Sequence, residues 1–205
     1  MGHLGHVAHY GHRNICRGVT NWRTSDGLVP ILQTRDFSTL EEMNDCIVNN
    51  INSVVGVNDV LIHLGDFSFG GFENIENFRN RINCKEIHLV LGNHDHHIER
   101  NKEDIQRLFA SVQWFLQIRY MKKELECLHF PIASWNGLNK GRIHLHGHTH
   151  LPNDKKIFGR RIDVGMDGHP EFRPYELKTE IIDKLIFEPI KSQLWDLDHH
   201  LDEFN

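Results

Sequence analysis

Four short runs in this chain end on residues that hold cations or move protons. They are Gly65-Asp66, Gly92-Asn93-His94-Asp95, His129 in a Leu-His-Phe-Pro run, and Gly147-His148-Thr149-His150. If the last run closes a strand, His148 and His150 share a face, with Cβ atoms roughly 6.6 Å apart. That span suits a pair of cations about 3.5–4 Å apart, each taking one imidazole. Taken singly, such ends have bland readings: two solvated histidines at a strand end, or a Gly-Asp placed for its turn geometry. Asn-His-Asp after an apolar run has no packing purpose, however, and four such ends in one short chain make coincidence a poor account.

The chemistry these residue types suit is phosphate-ester hydrolysis. Phosphate esters are anionic and repel hydroxide, whereas two cations neutralise the phosphoryl oxygens, lower the pKa of a water between them and align it for in-line attack. A donor set rich in imidazole suits Mn, Fe, Zn or Ni, while an all-oxygen Mg site would hold fewer histidines. The leaving oxygen needs a proton or a positive neighbour, and a histidine next to a carboxylate can supply either.

Elements must carry these ends to one rim. Residues 38–55 read as a helix, with Ser38 and Glu41 as a capping box, a stripe of Leu40, Met43, Ile47, Ile51 and Val54, and Gly56 at its end. Residues 59–66 and 86–95 read as buried strands ending in Gly-led polar turns, and 74–82 as a helix. Residues 102–112 look helical, 113–130 form two strands joined near Lys122-Lys123, 141–150 and 160–167 are further strands, and 179–189 is a helix. Helices and strands alternate early and strands dominate late, which predicts an α/β four-layer sandwich: two mixed β-sheets packed together and flanked by helices. Polar residues past the strand ends then gather at one rim.

At 205 residues, with 39% hydrophobic and 25% charged, the chain fits a single domain over 1–205 with an acidic tail from 191 to 205. The net charge of -5 offers no global field for polyanions, which argues against long nucleic acid as a partner. Cys16, Cys46, Cys84 and Cys127 form no C-x-x-C pair, no apolar run approaches the ~20 residues of a membrane span, and the N-terminus lacks a signal-peptide core, so a cytoplasmic location (the host's, if the gene is a phage's) is expected. Histidine recurs every third position in the first twelve residues, which reads equally well as an appended or misassigned start.

The order Asp, Asn-His-Asp, His, His-x-His resembles the calcineurin-like metallophosphoesterase family, whose blocks are D-x-H, G-D, G-N-H-D/E, H and G-H-x-H. The likeness runs from about His9 to Pro174. It implies the same sandwich and a dinuclear site holding two divalent transition-metal ions, Mn foremost, with Fe, Zn or Ni as alternatives. Asp66 would bridge the ions. His9 and His150 would complete one shell, and Asn93, His129 and His148 the other. His94 would face substrate as the catalytic acid, with Asp95 orienting its ring.

One block departs from the pattern. Residues 9–15, His-Tyr-Gly-His-Arg-Asn-Ile, resemble the H-F-G-H-x-N-I continuation of a bacterial and phage branch, yet Val7 stands where the aspartate of D-x-H belongs. Valine cannot ligate a metal. Three readings stay open: the natural start lies upstream, His3, His6 or His12 substitutes, or the first ion is held weakly. His12 and Arg13 are the candidate substrate contacts, while His96, His97, His169 and Cys127 read as solvated or structural side chains. The expected activity is hydrolysis of a small phosphomonoester or phosphodiester, with nucleotides among the candidates. The rival readings are a phosphoesterase-like binding scaffold that lost catalysis with its first aspartate, and a nuclease of a repair or phage system, which would need a basic path to the rim.

Overall fold

The protein is described by a computed structural model over residues 2–4, 7–101, 103–150, 159–186 and 190. The expected sandwich is what forms. The first sheet has strand order β4-β3-β2-β1-β9, from β1 (Gly2–Leu4), β2 (Val60–His63), β3 (Glu86–Val90), β4 (Ser111–Gln113) and β9 (Tyr175–Glu176). β1 to β4 run parallel and β9 pairs antiparallel to β1. The second sheet runs β5 (Phe115–Tyr120), β6 (Lys123–Leu128), β7 (Ile143–His146) and β8 (Arg161–Asp163), parallel except for the β5–β6 hairpin. Both sheets are therefore mixed.

Residue period two divides the interior. Leu61, Ile87 and Leu89 face the helices α1 (Leu40–Val54) and α2 (Phe72–Arg81), packing on Met43, Ile47, Ile51, Ile75 and Phe78. Their alternates Ile62 and Val90, with Leu64 beyond β2, pack between the sheets on Leu125, Cys127, Ile143 and Leu145. Both faces of β2 are thus covered past Val60, in keeping with its apolar run, whereas β3 begins with an exposed Glu86 and a half-buried His88 before its buried Leu89 and Val90. On the outer face of the second sheet, Glu126, His144 and His146 are buried, and the Trp135 ring tilts over His144 with centroids 5.3 Å apart.

Several elements differ from expectation. The cap of α1 is Thr39, whose Oγ1 accepts from Glu42 N–H at 3.1 Å, while Glu42 accepts from Ser38 N–H at 3.0 Å; the capping box is shifted by one residue. Residues 102–112 are not one helix. A short α3 (His96–Arg100) precedes them, Gln106–Leu108 form a single 3-10 turn, and β4 takes the end because its backbone pairs with β3. The last helix starts early, as a π-helical stretch over Leu177–Ile182 that runs into Asp183–Leu185. The histidine-rich start is part of the fold, since β1 lies between β2 and β9. The acidic tail at 191–205 lies outside the described residues.

Candidate metal centre

The rim forms where β2, β3, β6 and β7 end. Two glycines let their backbones nearly touch there. A Cβ on Gly65 (φ +92°) would sit 2.5 Å from His129 Nδ1 and 2.6 Å from Gly92 N, and a Cβ on Gly92 would run into the Asp66 carboxylate. His9, Asp66, His148 and His150 all adopt the left-handed backbone, with φ of 52°, 51°, 70° and 52°. Such conformations are uncommon for residues with a side chain and cluster where function constrains the chain. They also correct the geometry expected for His148 and His150. β7 ends at His146, so these two meet the rim through a tight turn and not through strand pleating; the strand histidines His144 and His146 lie on the buried outer face.

Four expected residues close one cluster. His129 Nδ1–H donates to the Leu64 carbonyl at 2.6 Å, which leaves Nε2 as a lone pair. That lone pair lies 3.0 Å from Asn93 Oδ1, 3.4 Å from Asp66 Oδ2 and 3.3 Å from His148 Nδ1, and His148 Nδ1 lies 3.1 Å from Asn93 Oδ1. The ligand atoms of Asp66, His129 and His148 lie within 4.8 Å of one another, close enough to hold a metal ion. Burial alone would raise the Asp66 pKa, but hydrogen bonding and charge from His129 and the His94 N–H outweigh it and keep the carboxylate ionised. Burial works against charge on His129, yet its Asp66 partner outweighs that and raises the ring's pKa.

His9 and His150 meet on the other side of Asp66. Their Nε2 atoms face each other at 2.6 Å, and His9 Nε2 is 3.6 Å from Asp66 Oδ2. Burial, followed by the charges of His150 and Arg35, holds the His9 pKa well below its ordinary value, so this ring is a neutral donor. Two residues that sequence reasoning missed support the pair. Asp167 accepts from His150 Nδ1 at 2.9 Å and is itself gripped by Arg35, Nε and Nη2 reaching its two oxygens at 2.8 and 2.9 Å. Arg35 also donates to the Ala8 carbonyl at 2.8 Å. Neither Arg35 nor Asp167 sits in a motif; only the fold joins them across 132 residues. Val7 is buried under Gly147, where a Cβ would strike its Cγ2, so it contributes packing but no ligand.

The remaining candidates sort differently. His94 is exposed above the cluster, its ring 6.0 Å from that of His9 and 4.8 Å from that of Phe69. Asp95, expected to orient the His94 ring, instead holds the turn: its two oxygens accept from Asp66, Phe67 and Gly92 N–H at 2.7, 2.8 and 2.8 Å. Burial pushes its pKa up to about 7 against those N–H groups. His12 faces the rim with its ring 5.5 Å from that of His9, while its Nδ1 accepts from Ile15 N–H at 3.4 Å. Arg13 is exposed on the 3-10 turn Arg13–Ile15 and is not among the residues lining the cleft beside the cluster, where Arg35 stands instead. The side chains of His3 and His6 lie outside the described residues. His169 is buried against Glu180 at 3.0 Å, as a structural side chain should be, and Cys127 is fully buried in the core.

No family model matches this chain. It is similar to the Gene 66 protein of Mycobacterium phage L5, 28% identical over 71% of this chain and 86% of that protein. It is also similar to the Gene 66 protein of Mycobacterium phage D29, 26% identical over 80% of this chain and 96% of that one. Among solved structures, a protein of unknown function from Aquifex aeolicus shares the fold, with a TM-score of 0.65 and 22% identity over 90% of this chain and 98% of the other. Among the described residues, no helix is long and apolar enough to cross a membrane.

Proposed function

We propose that this protein is a metal-dependent phosphoesterase of the calcineurin-like type, acting on a small phosphomonoester or phosphodiester. The observation that carries the reading is the convergence of six side chains that can each offer a ligand atom. His9 and His150 turn their Nε2 atoms on each other at 2.6 Å, and His129 Nε2 points at Asn93 Oδ1 and Asp66 Oδ2. Ligand atoms gather in this way around cations, and the donor set, four imidazoles with one carboxylate and one amide oxygen, suits Mn, Fe, Zn or Ni over Mg. His9, His150 and Asp66 would hold one ion, and Asp66, Asn93, His129 and His148 the other. Bound, the ions would neutralise phosphoryl charge and lower the pKa of water for attack. Leu64 and Asp167 fix the ring orientations of His129 and His150 from behind. His94, exposed beside the cluster, would give the leaving oxygen its proton. The Asp95 bonds keep the Asp66 and Gly92 backbones together, so Asp95 acts as a positioning residue.

The test is turnover of bis-p-nitrophenyl phosphate and of p-nitrophenyl phosphate by protein loaded with Mn. Activity that depends on Mn and is lost in Asp66→Asn and His148→Ala is expected. Equal rates in wild type and both variants would end the proposal. The impaired-scaffold reading is kept by a specific observation, Val7 at the ligand position, and predicts one bound ion or none.

A further inference from the structure

The segment between Thr20 and Phe37 has no regular secondary structure, yet it is firmly tied. Arg17 reaches the Ile31 and Thr34 carbonyls and the Thr34 hydroxyl, each at 3.2 Å, and pairs with Asp36 at 2.8 Å. Arg35 N–H donates to the Ile15 carbonyl at 2.6 Å. On this tied frame large apolar side chains stand in solvent: Ile31 is 68% exposed and Leu32 96% exposed. Water disfavours such exposure, and apolar groups held out by a fixed frame mark a surface that another molecule covers.

What covers them is indicated by the cleft they border. It has a volume of about 1000 Å³, within the range of small-molecule sites. Its lining joins His9, His94 and His150 to Trp22, Ile31, Leu32 and Phe37, and the Trp22 ring stands 6.1 Å from that of His12, itself 5.5 Å from that of His9. The charges along it are already spent within the protein: Arg35 on Asp167, and Asp36 on Arg17. Among the described lining residues, no cation is left to greet a second anionic group. With cations held as proposed above, the cleft would draw an anion to its histidines, while Trp22, Ile31, Leu32 and Phe37 offer it an uncharged apolar wall.

We propose that the Trp22, Ile31, Leu32 and Phe37 wall is the binding site for the organic part of the phosphate ester, and that this part is an uncharged aromatic or apolar group. The proposal rests on the phosphoesterase reading above for the histidine end. The wall itself explains selection among esters, favouring one phosphate joined to a flat or greasy body over esters bearing further negative charge.

The experiment compares two diesters with one leaving group and one charge, p-nitrophenyl phenyl phosphate and p-nitrophenyl methyl phosphate, on Mn-loaded full-length protein. A KM lower by about tenfold or more for the phenyl ester is expected, the scale set by burying a hydrocarbon group in an apolar pocket. Ile31→Ser with Leu32→Ser, both surface changes that leave the core alone, should bring the KM ratio toward one. Equal KM values in wild type, or a ratio the double variant leaves intact, would overturn the proposal. If neither ester is turned over, the phosphoesterase reading has failed separately, and calorimetry of phenyl phosphate against methyl phosphate decides the wall: phenyl preference upholds it and its absence refutes it. Concentration-dependent dimers in sedimentation that vanish in the double variant, with no phenyl preference, would make the wall a contact between copies and refute the proposal.

Discussion

The two halves of the rim are built by different means. The Asp66–Asn93–His129–His148 half is supported by backbone: the Leu64 carbonyl aims His129, and the Asp95 carboxylate ties the Gly92 turn to the Asp66 turn through three N–H groups. The His9–His150 half is supported by a side-chain relay, Arg35 to Asp167 to His150, and has a valine where the related motif carries a carboxylate. Backbone support comes from strands that the whole core holds in place. A relay of two charged side chains depends on each partner staying ionised, and it contributes no ligand of its own. If the proposed ions bind, one half would be a chelate held by backbone and the other a propped pair of imidazoles, so the two should differ in cation affinity.

The widest break in that comparison is His129→Ala against His150→Ala. The first removes a donor from the stronger half and should abolish Mn-dependent turnover and lower metal content; the second should leave the tighter ion bound. Elemental analysis of the dialysed variants checks this, and chelator titration of the wild type should release metal in two steps. Equal loss in both variants would erase the distinction. A smaller effect is expected of Asp167→Asn. Loss of a hydrogen-bond partner behind a ligand histidine commonly lowers metal affinity by about 10–100-fold, here for the weaker step alone, and the buried Arg35 left without its carboxylate should lower the thermal midpoint. A weaker step that does not move in the chelator titration would show that the relay does not prop His150. The smallest expected change is a gain. Val7→Asp supplies the missing carboxylate, so it should tighten the weaker step in the same titration while destabilising the metal-free protein, because an unpaired buried carboxylate is costly. Stronger binding without that apo-state penalty, or the penalty without stronger binding, would mean Val7 does not face the His9–His150 pair.

Much of the fold was legible because its signals are local. The α1 stripe from Leu40 to Val54 follows from periodicity, and the strands within 59–66 and 86–95 from apolar runs closed by Gly-led turns, although the strands themselves end at His63 and Val90. The Met121-Lys122 hairpin turn, both residues at positive φ, falls one residue from where the β5–β6 pair was expected to join. β1, β4 and β9 were not legible, at three, three and two residues, since only pairing with a neighbour makes so short a segment a strand. In the site, Asp66, Asn93, His129 and His148 could be named from strand-end spelling, whereas Asp95 was given the wrong neighbour because adjacency to His94 in the chain says nothing of where a carboxylate turns.

Residue type and order alone therefore determined which groups carry donor atoms, that Asp66, Asn93, His129 and His148 follow strands, and that valine stands where the motif it resembles has a carboxylate. Only the tertiary structure decided how those groups meet: left-handed turns at His9, Asp66, His148 and His150, Asp95 holding three amides, and Arg35 and Asp167 joined behind His150. The physical reason is that donor chemistry belongs to a single side chain, whereas direction depends on backbone angles and partners set by contacts between residues far apart in the chain.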